Sequence, residues 1–208
     1  MPTSTFLNLS KEKQNIIIEA SNKEFKRVLL KDASINKIIK DANISRGSFY
    51  TYFKDINDLY IYTLSKYQDK FYEMLKETIK KTNGDLLKTT KITYETIIKD
   101  CTNDITTYKN IFLNLNYDVS IRNQIELDLD NKYRLIELIS KIDTRKLNIK
   151  KEEEIFHIID IILGIVLHGL IEIFISDKNP EEIKEKLNNQ IKLIEKGIYK
   201  EWKQYLNI

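Results

Sequence analysis

The chain has 208 residues, 42% hydrophobic and 31% charged, with five Gly, two Pro and a single Cys. Turn formers this scarce exclude a fold built from many hairpins and point to an all-α protein, while the lone Cys101 excludes an intramolecular disulfide framework. The net charge of +3 is unevenly placed: residues 1–60 hold ten Lys/Arg against seven Asp/Glu, so the whole excess lies toward the N-terminal end, which suits either an anionic partner there or an ordinary solvated mixed-charge surface, and charge alone does not decide between them.

The length suits a small domain joined to a larger one. Ser10 is placed to cap a first helix running to about Leu29, with Ile17, Ala20, Phe25 and Val28 at helical spacing. A second helix starts at Ser34 and carries Ile35, Ile38, Ile39 and Ala42 as a one-sided stripe. In DANIS, residues 41–45, Asn43 suits the left-handed conformation that ends a helix, and Ser45 suits the cap of the next. Asp55 then caps a long helix to about Lys81, with Leu59, Tyr62, Tyr67, Phe71, Met74 and Leu75 turned inward and Asn83-Gly84 as its stop. Further helices are expected over about 86–101, 104–116, 118–142, 151–176 and 180–206. The last has Asn179 as cap, Pro180 in the first position and a stripe of Ile183, Leu187, Ile191, Ile194, Ile198 and Trp202. The division this gives is a three-helix unit over 1–54 and a larger helical one over 55–208.

Two stretches bear on location. The N-terminus, MPTSTFLNLSKEK, lacks a basic start followed by an apolar run, so a cytoplasmic protein is expected. The segment IFHIIDIILGIVLHGLIEIFI, 155–175, has the length of a membrane span but includes His157, Asp160, His168 and Glu172, each costly in hydrocarbon, and is read as a buried helix of a soluble protein with no membrane partner.

The densest local signal is ISRGSFYTYFKD, residues 44–55, with four aromatic rings in one short helix. Capped by Ser45, that helix places Phe49 and Phe53 at i, i+4, facing the two preceding helices together with Ile44. Arg46, Gly47, Ser48, Tyr50, Thr51 and Tyr52 take the remaining surface. A helix fits the major groove, its first turn reaches base edges, and hydroxyl and basic groups further along bond the phosphates. Gly47 lets a backbone come close.

The run INKIIKDA, the turn NIS and then RGSFYTYFKDINDL resemble the tetracycline-repressor (TetR) family of transcriptional regulators over residues of about 13 to 60. The resemblance implies a helix-turn-helix DNA-binding domain followed by a larger helical domain for effector binding and dimerisation. Carried over by position, it implies that Arg46 and Ser48 face bases, with Thr51 a further base contact. It implies that Tyr50 and Tyr52 contact phosphates, and that Ser34 touches the backbone from the preceding helix. Arg46 is either bidentate to guanine O6/N7 or a phosphate clamp. Three positions depart from the family pattern: Leu29 and Asn43 stand where Gly is usual, and Ile56 stands where a phosphate-binding Lys is usual. The last removes one ionic contact and leaves it to Lys54, Lys37 or Lys40.

For the larger domain the resemblance is architectural and names no ligand. An unknown, largely apolar small-molecule effector is expected, with Tyr94, Tyr108, Phe112, Tyr117, Tyr133 and His168 as candidate pocket residues. Helix 151–176 is apolar nearly all round and is expected to be covered by its own domain on one side and by a second subunit on the other, forming with helix 180–206 a four-helix homodimer interface. Asp160, Gly164, His168 and Glu172 share one face, read as a hydrogen-bonded stripe at that seam with Gly164 allowing close approach, in preference to a metal site.

No Gly-rich phosphate loop, G-x-S-x-G, HExxH or Cys pair occurs in the sequence, so neither an enzyme nor a cofactor is expected. The functional expectation is a ligand-responsive regulator, a repressor, binding a pseudo-palindromic double-stranded operator as a homodimer. The alternative is a helical small-molecule carrier or protein-interaction module whose DNA-binding head is degenerate.

Overall fold

The computed structural model describes residues 2–117, 129–175 and 179–198. Every regular element among them is helical: α1 (Ser4–Leu7), α2 (Lys11–Arg27), α3 (Ile35–Asp41), α4 (Arg46–Tyr52), α5 (Ile56–Lys81), α6 (Leu86–Asn103), α7 (Ile105–Tyr117), α8 (Leu129–Ile139), α9 (Glu154–Ile175) and α10 (Pro180–Ile198), with single 3-10 turns at Leu30–Asp32 and Thr144–Lys146.

The helix ends follow from side-chain chemistry. Ser10 Oγ accepts the Lys13 N–H at the start of α2, Ser45 Oγ the Ser48 N–H at the start of α4, and Asp55 Oδ1 the Asp58 N–H before α5. Asn179 Oδ1 accepts from Glu181 ahead of α10. Each supplies an acceptor to one of the N–H groups that the first turn leaves unpaired. Asn43 at φ 51° ends α3, and Asn83 at φ 53° with Gly84 at φ 75° end α5.

Packing separates the chain into two compact units. The first comprises Met1–Tyr72 with Asp104–Lys132, the second Glu73–Asn103 with Tyr133–Ile208. These bounds differ from a cut after residue 54, because the first turns of α5 belong to the same core as α1 to α4. Leu59, Tyr60, Tyr62 and Leu64 are buried with Phe6, Ile17, Phe25, Ile38, Phe49 and Phe53. Helix α7 joins this unit through side chains that finish the end of α2. Asn110 Nδ2 donates to the Phe25 and Lys26 carbonyls at 3.1 and 2.8 Å, and Asn114 Oδ1 accepts the Leu30 N–H at 3.1 Å. These contacts explain why α2 stops at Arg27, short of the expected Leu29. Val28 and Leu29 are extended, which turns Leu30 into the core at 5% exposure.

In the second unit, α10 packs against α6 and α9. Ile183 and Leu187 are 1% and 0% exposed, and the Leu187 side chain lies so close to Gly169 of α9 that a Cβ there would meet it at 2.9 Å. Within the chain, the close helix approach is at Gly169. At Gly164 a Cβ would find nothing within 4 Å. Gly84 receives the Asp143 N–H on its carbonyl at 2.8 Å, and a Cβ would strike the Lys141 carbonyl oxygen at 2.6 Å, so this turn admits only glycine.

One inward assignment is corrected. Phe71 is 43% exposed, since twelve residues of α-helix rotate it well away from Leu59. Tyr133 is 70% exposed. Helix α9 is long and apolar enough to cross a membrane by length and composition, yet within the chain only 22% of its apolar window is buried; Phe156, Ile161, Leu163 and Leu167 are 44–56% exposed. Trp202 lies outside the described residues.

Candidate nucleic-acid interface

Helices α3 and α4 meet across the turn at Asn43 and are held from beneath by apolar contacts. Ile38 of α3 and Phe49 of α4 are both 0% exposed, and Ala42 and Phe53 close the same core. Full burial of each such side chain contributes roughly 1.5–3 kcal/mol, which fixes the rotation of α4 about its own axis. Arg46, Gly47, Tyr50 and Thr51 consequently face solvent, Ser48 and Tyr52 are half-buried, and Ser45 and Lys54 flank them in the open.

Several polar contacts pre-arrange this face. Arg46 reaches back to α3, donating through Nη1 to Asn36 Oδ1 at 2.7 Å, and its Nη2 donates to the Tyr50 hydroxyl at 3.3 Å. The guanidinium carbon sits 5.7 Å from the Tyr50 ring centre, a cation–π distance. Ser45 and Ser48 share a hydrogen bond between hydroxyls at 2.9 Å. The Thr51 hydroxyl donates to the Gly47 carbonyl at 3.0 Å. Gly47 has no positive φ, and a Cβ on it would meet only Ser45 Oγ at 3.7 Å, so nothing inside the chain demands glycine there.

The far end of α4 is closed by a segment that sequence reading did not single out. Thr3 donates its N–H to the Tyr52 carbonyl at 2.9 Å and its hydroxyl to the Thr51 carbonyl at 2.7 Å. Phe6, 0% exposed, stacks its ring among Phe53, Tyr62 and Tyr52 at 4.7, 5.3 and 6.0 Å. The only local cue is Thr3 four residues ahead of Leu7, a capped single turn too short for a periodic pattern.

The near end of α3 is held by a buried carboxylate. Glu24 Oε1 accepts the Ser34 N–H at 2.9 Å, and its two oxygens take the Arg27 fork at 2.7 and 2.8 Å. The Arg27 hydrogen bonds hold the Glu24 carboxyl below its ordinary value of 4.5 despite its burial, and the Ser34 N–H helps. Ser34 thus has its backbone committed to Glu24 and makes no side-chain cap. Ile56 is half-buried against the core, with its side chain packed on the first unit where the family pattern has a charge. Lys54, two residues before it, is exposed, as are Lys37 and Lys40 of α3.

Of the expected effector residues, Tyr94, Tyr108, Tyr133 and His168 have described surroundings. Tyr94 is 0% exposed and donates its hydroxyl to Asn188 Oδ1, so it is committed inside the second unit. Burial pushes its hydroxyl up to about 12. Tyr108 lies in the first unit, whereas Tyr133 and His168 are exposed positions of the second. The side chains of Phe112 and Tyr117 lie outside the described residues. A groove between α6 and α10 is lined by residues that include Ile92, Glu95, Lys99, Pro180 and Lys184. On the stripe of α9, Asp160 and His168 are exposed, and Glu172 is engaged by Lys186 Nζ at 2.9 Å on both oxygens.

The family model described as "Tetracyclin repressor-like, C-terminal domain" matches residues 85–198. An uncharacterised HTH-type transcriptional regulator of Bacillus subtilis (strain 168), YuxN, is 33% identical over 94 residues; the match covers 43% of this chain and 32% of that protein, so the chain spans about a third of its length. Solved structures align over nearly the whole chain. A TetR family transcriptional regulator from Chloroflexus aurantiacus is 20% identical with a TM-score of 0.56, covering 97% of this chain and 100% of its own. A transcriptional regulator from Aquifex aeolicus VF5 is 25% identical with a TM-score of 0.61, covering 88% and 99%. FadR from Bacillus subtilis, solved in complex with stearoyl-CoA, is 18% identical with a TM-score of 0.67, covering 89% and 99%.

Proposed function

Because this chain belongs to the tetracycline-repressor family of transcriptional regulators, we propose that it is a ligand-responsive repressor that binds a pseudo-palindromic double-stranded operator as a homodimer, through residues 34–54. The observation that carries the DNA-reading half is the division of α4. Phe49 and Phe53 are fully buried, while Arg46, Gly47, Tyr50 and Thr51 of the same two turns stand in solvent, and Lys37 and Lys40 of α3 are exposed as well. An exposed helix face of charge, hydroxyls and one absent side chain, held rigid from below, has the chemistry of base and phosphate contacts. In this reading Arg46, Ser48 and Thr51 face bases, while Tyr50, Tyr52 and Lys54 bond phosphates. Ser34, Ser45 and Gly47 bring the backbone close. The cut at residue 54 then separates functions and not cores.

Dimerisation is supported by α9. Phe156, Leu163 and Leu167 form an apolar stripe with the open Gly164 alongside, and Leu193 of α10 is 67% exposed. A second copy about a two-fold axis covers such surfaces on both chains at once and supplies the second reading helix. A largely apolar small molecule bound in the helical part is the effector in this scheme. A coupling of about 1–3 kcal/mol between its site and the operator gives a 5- to 150-fold change in affinity.

Titration of the purified protein against duplexes from its own promoter region, at several salt concentrations, tests the proposal. The expected result is binding tighter than to random duplex, at two subunits per site, with an affinity that falls as salt rises. Affinity equal to that for random duplex overturns it and leaves the carrier or interaction module.

A further inference from the structure

We infer that Asn36, on α3, is a specificity-setting positioning residue that acts through Arg46, presenting the guanidinium to a base as a pre-formed fork. The inference rests on the DNA-reading proposal and adds a residue that the family pattern did not supply. Three observations carry it. The Asn36 side chain is exposed, and its Oδ1 accepts from Arg46 Nη1 at 2.7 Å, across from α3 to α4. The Tyr50 hydroxyl accepts from the other terminal nitrogen, Nη2, at 3.3 Å, with the ring beneath the cation. Arg46 has no carboxylate partner among the described residues, so its full charge is available.

The geometry sets what remains for a ligand. A guanidinium has five N–H donors in one plane. Two are used within the chain, one on each terminal nitrogen, which leaves the second hydrogen of each and the Nε–H. The acceptors Asn36 Oδ1 and Tyr50 OH fix the plane of the fork from both sides, and α3 and α4 are themselves locked by Ile38 and Phe49. An arginine that is already immobilised does not lose its rotamer freedom on reaching guanine O6 and N7. Tyr50 keeps its own O–H proton, free to donate to a phosphate while its oxygen accepts from Arg46. The arrangement favours base readout over the phosphate-clamp role for Arg46, because a phosphate would accept the guanidinium in many orientations and gains little from a fixed plane.

The test is selection of duplexes from a randomised library by the full chain, followed by competition titrations, for the wild type, Asn36→Ala, Arg46→Ala and the double variant. Melting temperatures of all four are compared first; both side chains are exposed, and the melts are expected to coincide. If Asn36 acts through Arg46, Asn36→Ala weakens preference at one base pair per half-site about two- to tenfold, the cost of immobilising one long side chain on binding. Affinity for random duplex and the salt slope stay as in the wild type, and Asn36→Ala has no further effect once Arg46 is Ala. An equal loss in both backgrounds means that Asn36 touches DNA itself, and a loss spread evenly over all sequences means a general docking role; either result overturns the inference. A wild type that selects no sequence at all overturns the DNA-reading proposal beneath it, a result that the variant comparison alone does not produce.

Discussion

Gly47→Ala separates what the chain needs for folding from what its partner needs. In the free chain the added methyl meets only Ser45 Oγ, at 3.7 Å, an ordinary van der Waals separation, and the backbone there has no positive φ. Alanine loses less conformational freedom on entering a helix, so stability is expected to rise by about 0.4–1 kcal/mol. For a chain of this size that corresponds to a melting temperature about 1–4 °C higher. The same methyl stands on the exposed face with Arg46 and Tyr50, and the proposed DNA-reading mode, in which a duplex comes close to the backbone at Gly47, leaves no room for it. A loss on the order of 1 kcal/mol, about fivefold in operator affinity, follows. Thermal melts by circular dichroism and anisotropy titrations with a labelled operator measure the two effects on one preparation. A variant that is more stable and binds less tightly fits the reasoning. One that melts lower, or binds as well as the wild type, refutes it, because either the space around Gly47 is not open or nothing approaches it.

Other outcomes follow from the packing around the reading helix. Phe6→Ala empties a fully buried site ringed by Phe53, Tyr62 and Tyr52, and should cost about 3–5 kcal/mol. The melt of the first unit drops accordingly, and Phe6→Leu recovers part of the loss; a change under 1 °C would contradict the packing described. Glu24→Gln keeps the shape but removes the charge that Arg27 and the Ser34 N–H stabilise. Since the Glu24 carboxyl in the folded chain lies below its ordinary 4.5, its contribution is full above that pH and is lost as pH falls through the lower folded value. The wild type should therefore melt higher than Glu24→Gln at pH 7, with the gap closing below about pH 4.5. A gap that is constant with pH would show that the carboxylate charge plays no part.

Legibility from sequence followed the range of the interaction. Ser10, Ser45, Asp55 and Asn179 act within three or four residues of their own position, and Asn43 and Gly84 act on their own backbone, so composition and spacing were enough to find them. The face of α4 was equally legible, because Phe49 and Phe53 repeat at the helical period. Phe6 and Thr3 were not: a single helical turn has no periodicity, and its partners stand more than forty residues away. The same holds for Asn110 and Asn114, whose amides finish the end of α2 from a helix some eighty residues on, and for Asn36, whose role depends on a side chain across the turn. Phe71 was misplaced for a different reason. Twelve residues after Leu59 is about a third of a turn past whole turns, so the inward face assigned to Phe71 is one that the helix period does not give it.

The two donors that Thr3 sets against α4 also matter electrically. The last turn of any helix gathers partial negative charge on carbonyl oxygens that lack amide partners, and a phosphate brought near such an end is repelled. With the Thr51 and Tyr52 oxygens already receiving hydrogens from Thr3, that end of the rod is partly quenched before any polyanion arrives. Under the proposed DNA-reading mode, a duplex along α4 would meet Arg46 in the first turn and a muted last turn, so that the whole seven-residue element is compatible with a strongly negative surface.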